Sequence, residues 1–396
     1  MWQMRHRMIS AKIACSASFL CLTAACSSSN APGGASAGGM GAGGMSAGGT
    51  SAGGASAGDT SAGGTSSGGG TAASGTICEL AESIHWNASA PLIVPISDAT
   101  HDLVAVKDPT VVRFNDRWHV YASSVSSSGA YNIVYTSFSD FSEASSATLY
   151  YMDKTPGFNT YVAAPELFYF TPQKKWYLVY QAGPPKFSTA DDPSDPTKWT
   201  QPAPFFTTTP AIITQNGGDW LDFWIICDAA SCHLFFSDNH GRWYTSKTAI
   251  DQFPNGFGEP VVVMQDSNAG RMFEASNVYK INGTNQYLAL IEAFDQTSGG
   301  RRYFRSWIAD SLDGPWLPWQ ASGSYPFAGS QNVTFQGSPW TNDISHGEAI
   351  RAGYDETLAI DPCNLRYLFQ GDDPTANTGG DYNKIPWRIG LLTQTQ

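Results

Sequence analysis

An aromatic-rich strand recurs five times in this chain: RWHVYA at Arg117–Ala122, KWYLVYQ at Lys175–Gln181, CHLFFSD at Cys232–Asp238, QYLALIE at Gln286–Glu292 and RYLFQG at Arg366–Gly371. The copies start roughly 50 to 80 residues apart, a period that points to radial repetition and not to one long sheet. Upstream of each copy stands a polar or acidic residue: Asp108, Glu166, Asp222, Glu274, and the pair His346 and Glu348. If each unit is one blade of an all-β, five-bladed propeller, these positions lie on the innermost strands. They would then crowd round one axis and line a central catalytic pocket with carboxylates.

The first unit sets the pattern. VKDPTVVRF is an apolar strand bearing Asp108, NDR a tight turn, WHVYAS the returning strand and YNIVYTS a third. The later units repeat the order with APELFYF, WLDFWIICD, MFEASNVYK and SHGEAIRA as their opening strands. Helical periodicity is nearly absent, and β-branched and aromatic residues fill the strands. Side chains alternate along a strand, so one parity faces the channel, and carboxylates at matching positions share a direction.

The ends of the chain read differently. Residues 1–25 carry Arg5, Arg7 and Lys12 ahead of the apolar run Ile13–Ala25, which suits an export signal and is too short to span a bilayer. The run closes as LTAAC, an order that resembles a bacterial lipobox with Cys26 as the lipidated first residue; ordinary cleavage with an unmodified cysteine is the alternative. Residues 26–75 are almost wholly Gly, Ser, Ala and Thr, with Asp59 the only charge. Such a segment cannot bury enough apolar surface to offset ordering entropy, and as a flexible tether it reaches about 40 Å. Residues 76–396 form the propeller domain, which stays single because each blade packs only on its neighbours. The expected setting is a monomer at a cell surface or outer membrane, held through the lipid alone, or else secreted.

The net charge of −12 argues against nucleic acid as a partner. With no GxGxxG or phosphate-loop pattern, a neutral substrate and no organic cofactor are expected. Cys15, Cys21 and Cys26 belong to the export segment, which leaves Cys78, Cys227, Cys232 and Cys363. An even count in an exported domain suggests two disulfides, with three pairings possible. A Cys227–Cys232 bridge would span a hairpin, and Cys78–Cys363 would fasten the start of the fold to its last blade. Zinc ligation lacks a second cysteine pair or a histidine cluster at metal spacing.

Asp108, Asp222 and Glu274 are each flanked by apolar residues, in VKDPTVV, WLDFWII and RMFEASNV. Burying ionised carboxylates side by side is costly, so their pKa values must separate or one must stay protonated. Paired carboxyls with separated pKa values are the acid and base of glycoside hydrolysis. A salt-bridged or calcium-bound axis is the structural alternative.

The stretches CELAESIHW, VKDPTVVRFNDRWHVYAS, YVAAPELFYFTPQKKWYLVYQ, LDFWIICD, FEASNVY, RYFRSW, WTNDISHGE, IDPCNLRYLFQG and GGDYNKIPWRIGLL, taken in order, resemble the arabinofuranosidases of glycoside hydrolase family 62 from Cys78 to about Leu392. The resemblance implies release of L-arabinose from α-1,2 or α-1,3 substituents on arabinoxylan, with inversion. It implies Asp108 as general base, Glu274 as general acid, and Asp222 as the residue that holds and tunes Glu274. It assigns Lys107, Trp340, Asn342, Asp343, Tyr382 and Asn383 to substrate binding, with Tyr382 stacking on a xylose face, and sets a calcium ion beside His346. Glu166 departs from the pattern, standing where a neutral residue is expected. A β-xylosidase or arabinanase on a related scaffold, and a carbohydrate-binding propeller without catalysis, remain the competing readings.

Overall fold

The structure, a computed structural model, describes residues 78–294 and 301–395; the expected export segment 1–25, the expected lipidation site Cys26 and the expected tether 26–75 lie outside them. Five antiparallel-rich sheets follow one another along the chain as the blades of a propeller. Blade 1 runs through Leu103–Phe114, Arg117–Ser126, Tyr131–Phe138 and Tyr150–Tyr151. Blade 2 opens with Ala163–Phe170, blade 3 with Leu221–Cys227 and blade 4 with Glu274–Ile281. Blade 5 opens with Ser345–Ala349 and continues through Arg366–Gly371 and Arg388–Thr395. The five aromatic copies are the second strands of the blades.

Blade 5 takes its next strand from the other end of the domain. His85–Ala88 pairs antiparallel with Arg388–Thr395, which closes the ring. Trp86 locks this closure: it is 1 % exposed, and its indole N–H donates to the Phe327 carbonyl at 2.6 Å. Truncation of Trp86 to alanine should cost roughly 3–5 kcal/mol in a denaturant melt. Cys78 and Cys363 are bonded beside the same closure, and Cys227 and Cys232 face each other across the blade 3 hairpin, so both expected disulfides are present. The NDR turn also forms as expected, with Asn115 and Asp116 both at positive φ, as a tight two-residue hairpin loop requires.

Every first strand carries one extra residue where it faces its second strand. The irregularities lie between Lys107 and Thr110, Ala163 and Glu166, Leu221 and Trp224, Glu274 and Asn277, and Ser345 and Gly347. Asp108, Ala164, Asp222 and Ala275 take positive φ there, an uncommon conformation that bulges use to re-aim side chains. The backbone N–H of each bulge points across the seam between blades and needs an acceptor. Four seams supply it from the second strand of the preceding blade: Gln370 accepts from the Asp108 amide at 2.8 Å, Ser123 from Ala164 at 2.7 Å, Gln181 from Asp222 at 3.4 Å and Glu292 from His346 at 2.8 Å. In blade 3 the matching residue is Ser237, whose hydroxyl is buried without a partner. There the Ala275 amide donates instead to Asp222 Oδ2 at 2.9 Å.

This register corrects the expectation that the acids occupy matching positions. Asp108, Asp222 and His346 do match. Glu274 stands one residue before the bulge residue Ala275, while Glu166 and Glu348 stand two residues after Ala164 and His346. The polar residues therefore form two layers along the axis instead of one ring.

Candidate active site

The outer layer holds Asp108, Asp222 and Glu274 together with His346, Lys107 and Arg302. Lys107 Nζ lies 3.3 Å from Asp108 Oδ1 and donates to the Tyr382 hydroxyl at 3.0 Å. His346 Nδ1 lies 3.2 Å from the same Asp108 oxygen and 3.9 Å from Asp222 Oδ1. Asp222 thus shows one oxygen to the histidine and gives the other to the amide of the residue after Glu274. On the far side, Arg302 donates to Glu274 Oε1 at 2.9 Å and also to Glu292. Exposure rises across the three acids, from 5 % for the Asp108 side chain to 12 % for Asp222 and 20 % for Glu274.

These contacts separate the protonation states. Burial works against an ionised Asp108, but Lys107 and His346 outweigh it and hold the carboxyl well below the usual carboxylate range. Burial likewise opposes a charged His346, yet Asp108 and Asp222 raise it to about 9, so the imidazole is a cation at neutral pH. Asp222 goes the other way. Burial pushes it up, against His346 and with Glu274 and Asp108, to about 6. An anionic carboxylate, Asp108, and a carboxyl of raised pKa, Asp222, therefore share one hollow with Glu274.

Aromatic rings wall the hollow. The Arg302 guanidinium lies over Phe273, Trp387 and Tyr382, with centroids 5.2, 5.6 and 5.9 Å away. Lys107 sits over Tyr382 and Tyr131. Tyr161 accepts from Gln181, the residue that takes the Asp222 amide. Burial raises both Tyr131 and Tyr161, which keeps their hydroxyls neutral. A cavity of about 630 Å³, lined by Arg113, Trp118, Tyr354 and Arg366, lies beyond the other ends of the first strands and contains none of the three acids. Converging chemistry, and not the size of a cavity, marks the site.

The inner layer is structural. Glu166 is fully buried and accepts from the Ile225 amide at 2.6 Å, so it caps the first strand of the next blade; burial raises it well above the usual range. Glu348 accepts from the Val111 amide at 3.4 Å and pairs with Arg351 Nε at 2.7 Å; burial, against Arg351, takes it up to about 7. Neither belongs to the hollow of the three acids.

Calcium needs six to eight oxygen ligands. Among the described residues no group of three or more His, Cys, Asp and Glu side chains is placed to hold a metal ion. His346 turns Nδ1 toward Asp108, and the Glu292 oxygens are taken by Arg302, Ser345 and the His346 amide. The residues present do not fit a protein-caged calcium.

The family model for glycosyl hydrolase family 62 matches residues 85–393. The chain is 42 % identical over 318 residues to the curated α-L-arabinofuranosidase C of Cellvibrio japonicus, covering 80 % of this chain and 48 % of that protein, so it spans about half of that relative's length. Among solved structures, the catalytic domain of the Coprinopsis cinerea family 62 α-L-arabinofuranosidase is 52 % identical, with a TM-score of 0.77 over 80 % of this chain and 98 % of that one. The Podospora anserina α-L-arabinofuranosidase in complex with cellotriose is 45 % identical, with a TM-score of 0.76 and the same coverage. A family 62 hydrolase in complex with xylotriose is 44 % identical, with a TM-score of 0.75 over 79 % of this chain and 98 % of that one. The chain belongs to glycosyl hydrolase family 62.

Within this family 62 propeller the expected binding residues divide. Lys107 and Tyr382 meet at the hollow. Asn383 follows Tyr382 on a short 3-10 turn, and its side chain packs against Gly129, where positive φ and an approach of 3.3 Å to a would-be Cβ both favour glycine. Asp343 is spent on the scaffold: it accepts from the Arg302 amide at 2.7 Å and lies 3.8 Å from Arg301. It thereby sets the strand that carries Arg302, with Asn342 half-buried beside it. Trp340 is turned into the fold, its N–H donating to the Ser89 carbonyl and its ring stacked on Phe369. No hydrogen bond or ring contact among the described residues joins Trp340 to the three acids. Sequence reasoning missed Arg302, Glu292, Gln181 and Gln370. The last three had a signal, because a polar residue near the end of each aromatic copy recurs with the repeat.

Proposed function

We propose that this chain is an α-L-arabinofuranosidase that removes single L-arabinose units, α-1,2 or α-1,3 linked, from arabinoxylan with inversion. The reading is carried by one observation: Asp108, Asp222 and Glu274, from three blades, face one hollow in which two cations keep Asp108 ionised. Relatives named α-L-arabinofuranosidase, and a family 62 hydrolase crystallised with xylotriose, support the substrate class.

Asp108 acts as general base. It takes a proton from water as the water oxygen bonds to the anomeric carbon on the face opposite the leaving group. Glu274 acts as general acid, giving its proton to the xylosyl oxygen, which departs with the electrons of the broken bond. Inversion needs the two carboxyls about 6.5–9.5 Å apart, so that the water fits between base and sugar. Asp222 fixes the backbone beside Glu274 through the Ala275 amide and offers its other oxygen to the furanose. Lys107 bonds sugar hydroxyls, while Tyr382 and Asn383 receive the xylan backbone.

Proton NMR of fresh product tests the stereochemistry. β-L-arabinofuranose appearing first supports inversion, and the α anomer first contradicts it. Free arabinose should appear from wheat arabinoxylan and not from linear arabinan; xylose or arabino-oligosaccharides as products would favour the related scaffolds. Residues 1–25 and Cys26 support export and lipid attachment, with residues 26–75 as the tether of a monomeric domain. Cys26→Ser should abolish incorporation of a labelled fatty acid, and retained label contradicts the anchor. Light scattering should return the mass of one chain.

A further inference from the structure

Glu292 is a buried carboxylate to which the reaction above gives no part. It lies on the second strand of blade 4, directly opposite Glu274 in register, and is 0 % exposed. Its oxygens accept from Arg302, from the Ser345 hydroxyl at 3.0 and 3.1 Å, and from the His346 amide at 2.8 Å. Burial raises its carboxyl, against Arg302, but the donors converging on both oxygens are those that an ionised group requires. The matching residues in the other blades are Ser123, Gln181, Ser237 and Gln370, all neutral. Gln181 and Gln370 cap the neighbouring bulge amide without a charge. Capping therefore does not explain a carboxylate at position 292.

Arg302 explains it. The same guanidinium nitrogen, Nη1, bonds both Glu292 Oε1 and Glu274 Oε1. An arginine this close is a cation that stabilises a negatively charged neighbour. That effect opposes a group that must deliver a proton. We infer that Glu292 is a positioning residue for glycosidic cleavage: it holds Arg302 in place and offsets the guanidinium charge that would otherwise face the proton donor Glu274 alone. The inference rests on the reading of Glu274 as general acid. The other groups facing Glu274 are the cation Lys107, the carboxyl of Asp222, and the neutral hydroxyls of Tyr131 and Tyr382. None of these bonds Arg302 in place of Glu292. The link also reaches the base, because the His346 amide that Glu292 holds belongs to the residue beside Asp108.

The test is the pH dependence of kcat/KM on wheat arabinoxylan for wild type, Glu292→Gln, Glu292→Asp and the double variant Glu292→Gln/Arg302→Met. In Glu292→Gln the alkaline limb should move down by about one pH unit, with the loss falling on kcat more than on KM. Glu292→Asp keeps the charge and should hold the limb near its wild-type position. The double variant removes both charges and should return the limb toward wild type although turnover stays low. An unmoved limb in Glu292→Gln, or losses that simply add in the double variant, would overturn the inference while leaving the hydrolase reading intact. If Glu292→Gln fails to give a cooperative melt, Arg302→Met decides: its limb should move up, and a limb that stays or falls overturns the proposal. A wild-type chain that releases no arabinose would overturn both readings.

Discussion

Asp222 and Glu166 hang from neighbouring first strands, Asp222 at the bulge and Glu166 two residues past it. Asp222 looks into the hollow, with His346 on one oxygen and the Ala275 amide on the other. Glu166 looks into the seam below, where one oxygen caps Ile225 and the other has no partner. Both are carboxyls raised by burial. They differ in what surrounds them: a partly open pocket containing cations and other acids, against a sealed seam of backbone amides. Position relative to the bulge, more than residue type, decides whether a carboxyl serves chemistry or scaffold. The bulge also explains how residues one apart, Lys107 and Asp108, both reach the hollow although strand side chains ordinarily alternate.

Breaking the outer layer should cost the most. Asp108→Asn removes the base and should lower kcat by roughly 10²–10⁴-fold, measured as arabinose released from wheat arabinoxylan. Near-wild-type turnover would remove Asp108 from the mechanism. Asp222→Asn keeps an acceptor for the Ala275 amide but loses the charge, so activity should fall by about 10²-fold while the melt barely moves. Asp222→Ala should add roughly 1–3 kcal/mol of destabilisation from the orphaned amide, read by denaturant melts of the two variants side by side. Equal melts for the two would show that the Asp222–Ala275 bond does not hold the seam.

The inner layer should answer in stability and not in turnover. Glu166→Gln keeps the cap on Ile225 and removes the burden of a buried acid, so the melt should hold or rise by about 1 kcal/mol. Glu166→Ala orphans the amide and should lower stability by roughly 1–3 kcal/mol.

The smallest effects lie in the pH dependence of stability. Glu348 is raised to about 7 in the fold, so the folded state binds the extra proton; its contribution is complete below about 4.5 and lost as pH rises through 7. His346, raised to about 9, contributes fully below about 6.5 and loses that contribution as pH rises through 9. Melts from pH 5 to 10 should therefore fall in two stages. Glu348→Gln should shrink the first stage, to which Asp222, raised to about 6, also contributes, and His346→Gln should shrink the second. A flat wild-type profile would contradict both assignments.

Much of this was legible in the residues. Aromatic second strands recur because each must fill the same gap between neighbouring blades, so the repeat announced the propeller. The even count of cysteines in the domain and the short Cys227–Cys232 spacing announced the disulfides. The position of each acid within its strand was not legible, because a one-residue bulge is set by pairing with the second strand and leaves no mark in composition. For that reason Glu166 read as one more channel acid, and Glu274 as a register match to Asp108. Arg302 was hidden for a related reason: it begins a third strand and reaches the axis only by passing Phe273 and Trp387. Trp340 stacks on Phe369, a packing contact that its sequence context does not reveal.

The most direct test compares Glu274→Gln with Glu166→Gln, at equal concentrations of folded protein, for arabinose released from wheat arabinoxylan. Glu274→Gln should lose at least about 10²-fold, and Glu166→Gln should stay within about twofold of wild type. Comparable losses in both variants, or an active Glu274→Gln, would contradict the division of the axis into a chemical layer and a structural one.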